Sequence, residues 1–386
     1  MDQQYKRVTV QWDHERLKRD RLAQLQAEMQ RMNIGGLYLT EGHHTRYLLD
    51  AQVPVGKVFV PVEGEVDAFV RGRDIGYIRK QHGAAREADL PPTEVREAHG
   101  MKGFANEVRD LMNRHGVGGE RLGVDILRPE LLLELFEAGV PVVPGEIPCE
   151  RATSVKTQDE LAMYRGIGEQ YRQTLGAFRD AIKPGLTELD LAAVVTATWA
   201  YVGGEDVAQL NVCTQENTNP WRRWSTERVI QPGDIVGIDF HGRGFGGLRG
   251  DCSDTFLAAD EATPEQRAQY RQAYEYLQAA IKELRAGRTI RDVLASQPPI
   301  PDQYREQQLN YNMAHGVGIN HSGYPHVDPR RKPIDDVLIA DQVLAVECHF
   351  GADGGPFGVK LEELVRVTDS EPEIIVGIPV DKALMA

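Results

Sequence analysis

Residues 234–256 read DIVGIDFHGRGFGGLRGDCSDTF: an apolar strand, a Gly-rich turn and a second strand. Asp239 and Asp251 sit in this β-prone sequence, where an unpaired carboxylate is costly to bury. Three further groups of the same kind follow. His315 opens HGVG, Glu347 ends the apolar run VLAVE, and Glu362 lies in GVKLEELVRV. Four carboxylates and one imidazole are a hard, oxygen-rich set, suited to two divalent cations that share bridging ligands.

Alternate residues of a strand share a face, so Asp239 and His241 point the same way, as do Glu347 and His349, and Lys360 and Glu362. His241 and His349 therefore lie where they could be ligands, supports for ligands or substrate contacts. The link HGRGFGG permits a tight return that brings Asp251 beside Asp239. Cys252 and Cys348 flank ligands, but the same alternation directs them away and makes them core thiols. Metal binding strongly lowers the pKa of water, so a centre of this kind can supply hydroxide at neutral pH. Glu347 is the carboxylate expected to shuttle its proton.

The stretches GDIVGIDF, GDCSDTF, AHGVG, VLAVECHF and GVKLEELVRVT resemble the pita-bread superfamily of methionine aminopeptidase, prolidase, aminopeptidase P and creatinase. The likeness continues upstream through ERATSVKTQDELAMYR and IKPGLTELDLAA, and more weakly across the N-terminal third. It implies an α+β chain. A smaller creatinase-type α/β domain (1–148) would precede a pita-bread catalytic domain (149–386), whose curved antiparallel sheet is covered by helices. It also implies a homodimer and a dinuclear centre on Asp239, Asp251, His315, Glu347 and Glu362, filled by Mn²⁺, Fe²⁺, Co²⁺ or Zn²⁺.

The segment CTQENTNPWRRWSTERVIQPGDIVGIDFH, with HGVGINHSGYP and FGVKLEELV, resembles the branch containing metal-dependent dimethylsulfoniopropionate (DMSP) lyases. Several positions depart from these relatives. His241 stands where that branch has a second Asp, and His321 where it has a proposed catalytic base. Tyr311 replaces the His that proline peptidases place four residues before the metal His, and Lys360 replaces an Arg. The ligands are kept while the groups around them change, which points to a different substrate.

Other candidates are less specific. His321 and His326 lie in NHSGYPHVDPRR, which reads either as a polar surface loop or as a substrate or base position beside the metal His. Trp221, Trp224 and Tyr324 line a pocket or simply pack. His43 and His44 follow a strand at a turn in the N-terminal domain, a region that in this superfamily sometimes reaches into a partner's active site.

Acidic residues outnumber basic ones by 58 to 44, for a formal charge of −14, which argues against nucleic-acid binding. No apolar run is long enough for a membrane span and the first twenty residues are rich in charge, so the expected compartment is the cytoplasm. Four scattered cysteines make no disulfide framework. Alternating strand and helix signals fill the first 145 or so residues, with a helix over 16–32, and the Pro-rich stretch AGVPVVPGEIPCERATSVK reads as a boundary. Beyond it Thr157 and Glu160 form a capping box that opens a long helix, and Thr187 starts another. Strands return over 229–257 and from Val343 onward.

The reading that follows is a metal-dependent hydrolase of a small amide, amidine or dipeptide-like C–N bond. The alternatives are a DMSP-lyase-like elimination and a catalytically inactive binding module of the same fold.

Overall fold

The computed structural model describes residues 5–50, 57–70, 96–97, 103–221, 224–308, 313–320, 322–331 and 335–386. Tyr311 and His321 lie outside the described residues. Contacts divide the chain into two compact units, Trp12–Thr153 and Met1–Gln11 with Ser154–Ala386.

The first unit is built on a mixed six-stranded sheet in the order β4-β3-β2-β1-β5-β6. Its strands are β1 Gly36–Leu39, β2 Lys57–Pro61, β3 Asp67–Val70, β4 Arg96–Glu97, β5 Leu122–Val124 and β6 Val142–Pro144. The helix His14–Arg31 starts where Asp13 accepts from the amides of Glu15 and Arg16, and it buries Leu17, Leu25 and Met29 at helical spacing. Phe104, Val108, Leu111 and Met112 of the helix Phe104–Arg114 pack with Tyr38, Phe59 and Leu122 of the sheet. The turn expected at His43 and His44 is instead the start of a helix, Gly42–Leu49. Asp125 closes that end of the fold, accepting from the amides of Thr40 and Glu41 and pairing with His44 Nδ1 at 3.1 Å. The Pro-rich stretch is also ordered, forming β6 and the helix Glu146–Ser154.

The second unit holds an antiparallel sheet of eight strands, in the order β11-β10-β12-β13-β9-β8-β7 with β14 paired to β13. Its strands are β7 Asp206–Thr214, β8 Ile235–Arg243, β9 Cys252–Leu257, β10 Ala314–Gly316, β11 Gly323–Val327, β12 Val343–Gly351, β13 Gly358–Arg366 and β14 Glu373–Ile374. Helices cover one face. Pro264–Glu283 packs Tyr270, Ala273, Leu277 and Ala280 into the core that holds Val346, Cys348, Val359 and Leu361. Tyr171 of Gln158–Ala181 and Trp199 of Glu188–Val202 pack on Phe240, and the Tyr171 hydroxyl donates to the Phe240 carbonyl. The capping box expected at Thr157 and Glu160 is present. Period-two alternation therefore divides each central strand into an apolar half under the helices and a polar half on the opposite face. All four cysteines are buried thiols outside any disulfide, Cys252 and Cys348 in the core.

Candidate metal centre

Five residues on five neighbouring strands stand in register across the polar face. Asn211 of β7 pairs with Asp239 of β8, Asp239 with Ser253 of β9, Ser253 with Glu362 of β13, and Glu362 with Glu347 of β12. His315 of β10 lies opposite Ala345, two residues before Glu347 and on the same face. Asp251 immediately precedes β9. The sheet thus collects all five sequence-predicted ligands into one buried cluster, none more than 8% exposed.

Lys360, two residues before Glu362, extends its ammonium into the cluster. Its Nζ lies 3.1 Å from Asp239 Oδ2, 3.3 Å from Glu347 Oε2 and 3.2 Å from Glu362 Oε2, and donates to Ser253 Oγ at 2.7 Å. Ser253 Oγ is also within 3.1 Å of Asp239 Oδ1 and 2.7 Å of Glu362 Oε2. The remaining oxygens face imidazoles. His241 Nε2 is 3.2 Å from Asp239 Oδ1 and 3.2 Å from Asp251 Oδ1. His315 Nε2 is 3.6 Å from Asp251 Oδ2, 3.7 Å from Glu362 Oε1 and 3.9 Å from Glu347 Oε1.

This electrostatic arrangement asks for cations. His315 Nδ1 contacts the Gly316 carbonyl at 3.2 Å, and a carbonyl can only accept, so the hydrogen sits on Nδ1. Burial lowers the pKa of His315, which keeps the ring neutral. Its Nε2 lone pair therefore points at three carboxylate oxygens, which is unfavourable until a positive ion lies between them. Asp251 Oδ1 and Glu362 Oε1 are buried and accept no hydrogen bond. Burial, Glu362 and Asp239 raise the pKa of Asp251. Burial also pushes Glu347 up to about 8, with Lys360 opposing and Glu362 and Asp239 reinforcing the rise. Asp239 is instead held below the usual carboxylate range, because Lys360 and His241 outweigh its burial. Four acids with one ammonium are short of positive charge, and the donors fit divalent metal. Two groups have ligand atoms within 4.8 Å of one another: Asp239, His241 and Asp251, and Asp251, His315 and Glu362.

The other candidates occupy different surroundings. His349 is fully buried and its Nε2 donates to the Thr218 carbonyl at 2.9 Å; burial lowers it to about 4, so it is neutral and pins a loop. Trp221 lies over Gly237, where a Cβ would come within 2.6 Å of the indole, so it covers the metal face two residues before Asp239. Trp224 is 77% exposed. The Tyr324 hydroxyl donates to Asp336 at 2.6 Å. His326 pairs in register with His315, and its Nε2 meets the Arg331 guanidinium at 3.1 Å. Ser253 and Asn211 were missed from sequence. Ser253 follows Asp251 at the strand period, the one signal that could have marked it.

Residues 162–369 match Metallopeptidase family M24, which is more than half of the chain. The chain belongs to this family. It is 31% identical over 292 residues to dimethylsulfoniopropionate lyase DddP of Roseovarius nubinhibens, covering 73% of this chain and 65% of that protein. It is 23% identical over 367 residues to the probable dipeptidase PepE of Mycobacterium tuberculosis, covering 90% of this chain and 92% of that one. Its fold matches the Xaa-Pro dipeptidase from Bacillus anthracis with a TM-score of 0.79 at 20% identity, over 94% of this chain and 99% of the other. The matched region spans about 65% of the length of the DMSP lyases. No helix among the described residues is long and apolar enough to cross a membrane.

Proposed function

We propose that this M24 protein hydrolyses a C–N bond of a small amide, amidine or dipeptide-like substrate, at a centre of two divalent metal ions. Asp239, Asp251, His315, Glu347 and Glu362 would hold the ions. The observation that carries this reading is the His315 lone pair facing three buried carboxylate oxygens beside a second imidazole–carboxylate group. When bound, such ions acidify water and polarise a carbonyl.

The chain's own residues divide the remaining work. Glu347 is the most exposed of the five, at 8%. It lies between His315 and Lys360, where it can carry a proton from the attacking water to the leaving nitrogen. Lys360 holds the outer oxygens of Asp239, Glu347 and Glu362, and Ser253 ties Glu362 Oε2 to Asp239 Oδ1, so that the carboxylates stay aimed. Trp221 walls the same face, and with Tyr311, His321 and Tyr324 forms the proposed substrate set; His349, considered for it from sequence, is fully buried against Thr218 and supports the loop instead. The protein would work as a homodimer, with a creatinase-like domain over 1–148 and the catalytic domain over 149–386.

A second reading, DMSP-lyase-like elimination, is favoured by the 31% identity to a DMSP lyase. Metal-loaded protein incubated in ¹⁸O-water with dipeptides, small amides and DMSP separates the two. Label in the product carboxylate supports hydrolysis. Acrylate formed from DMSP without label overturns it in favour of elimination.

A further inference from the structure

His241 and Lys360 together divide the cluster into two unlike halves. Each of three carboxylates gives one oxygen to Lys360 and turns the other inward: Asp239 to His241, and Glu347 and Glu362 to His315. Asp251 gives one oxygen to each imidazole, Oδ1 to His241 and Oδ2 to His315. We infer that His241 is itself a metal ligand, so that the first ion sits on Asp239 Oδ1, His241 Nε2 and Asp251 Oδ1, and each of the two ions has one imidazole. This rests on the dinuclear reading above and adds a ligand to it.

Two observations favour ligation. Two ligands of one ion, each about 2.0–2.2 Å from it, lie roughly 3.0–3.5 Å apart, and His241 Nε2 is 3.2 Å from both aspartate oxygens. The second group presents the same motif, a buried imidazole nitrogen facing carboxylate oxygens with Asp251 shared. Tyr171 and Trp199 pack on Phe240, the residue between Asp239 and His241, and fix that stretch of β8 from behind.

An imidazole in place of a carboxylate makes the first half softer and leaves it one negative charge poorer. Nitrogen ligands favour Zn²⁺, Co²⁺ and Ni²⁺ over Mn²⁺ and Mg²⁺, which prefer all-oxygen sites. Lys360 works in the same direction, since it occupies outer oxygens that a larger, harder ion would use for bidentate binding. The structure thus assigns a centre selective for the later divalent metals in both halves.

The test is metal stoichiometry and selectivity on the full chain, with no substrate involved. Metal-free protein is titrated with Co²⁺ by visible absorption, and with Zn²⁺ against Mn²⁺ by elemental analysis, for wild type, His241→Ala and His241→Asp. Wild type should take two Co²⁺, and His241→Ala one at unchanged affinity. His241→Asp should take two, with its Zn²⁺-over-Mn²⁺ preference reduced at least roughly tenfold. Circular dichroism shows whether either variant is folded, and the Asp variant keeps the test open if the Ala variant is not. Two tightly bound Co²⁺ in His241→Ala, or unaltered selectivity in His241→Asp, overturns the inference. Fewer than two ions in wild type overturns the dinuclear reading, and this inference with it.

Discussion

Lys360 Nζ lies 3.1 Å from Asp239 Oδ2, although β9 runs between the strands that carry them. The ammonium spans the width of a strand to reach the aspartate and also touches Glu362 of its own strand and Glu347 of β12 on the other side. Burial alone would discharge a lysine, yet the carboxylates around it raise its pKa well above the ordinary value. It is a fixed internal cation, and the stability of the metal-free protein depends on it.

Lys360→Met should therefore destabilise the metal-free protein by about 3–5 kcal/mol, the cost of leaving buried charge uncompensated. Divalent metal supplies the missing positive charge, so saturating Zn²⁺ should raise the Tm of the variant more than that of wild type. Thermal melts of both proteins with and without Zn²⁺ decide it; equal shifts would show that Lys360 and metal do not share the same carboxylates.

Ser253→Ala removes a hydroxyl that touches Asp239, Glu362 and Lys360 at once. The ligands remain but lose a common anchor, and loss of such support typically costs about 10–100-fold in metal affinity. Competition with a chelator of known affinity measures it. Undiminished affinity would mean that strand pairing alone aims Asp239 and Glu362.

Glu188 is fully buried and accepts from the amides and hydroxyls of Thr214 and Thr226 and from the side chain of Asn217. It pins both ends of the loop that carries Thr218 and Trp221. Glu188→Ala should lose about 3 kcal/mol or more, since several donors are left unpaired. It should also release Trp221, read as a shift in tryptophan emission and faster proteolysis within 214–226. A large loss of stability without either change would confine Glu188 to a role in the core.

Lys156 is buried, with Nζ donating to the Ser154 carbonyl, and burial lowers it to about 7 against the opposing pull of Glu160. Between about pH 7 and its ordinary value near 10.5, the unfolded chain holds this proton and the folded chain does not. Stability from this group therefore rises with pH across that window, by at most about 1.4 kcal/mol per pH unit. Lys156→Met removes the titrating group. The stability difference between variant and wild type should favour the variant most at pH 7 and shrink toward pH 10, as followed by urea unfolding. A difference independent of pH would place the Lys156 pKa in the folded state near its ordinary value.

Much of this centre was legible in the chain itself. The capping box at Thr157 and the shared face of Asp239 and His241 follow from local chemistry and from the period of a strand, whereas Asp239, Asp251, His315, Glu347 and Glu362 stand out as one ordered set through the resemblance to the pita-bread superfamily. The helix at His43 is not legible in the sequence, because its first turn has no side-chain cap to announce it. Register was out of reach. Ser253 and Glu362, 109 residues apart in sequence, become neighbours only when β9 and β13 pair. Asn211 and Ser253 join the row, and Lys360 reaches Asp239, through the same non-local pairing. Alternation fixes which way a side chain points, but the alignment of one strand against another is set by the packing of the whole sheet, and no stretch of sequence encodes that alone.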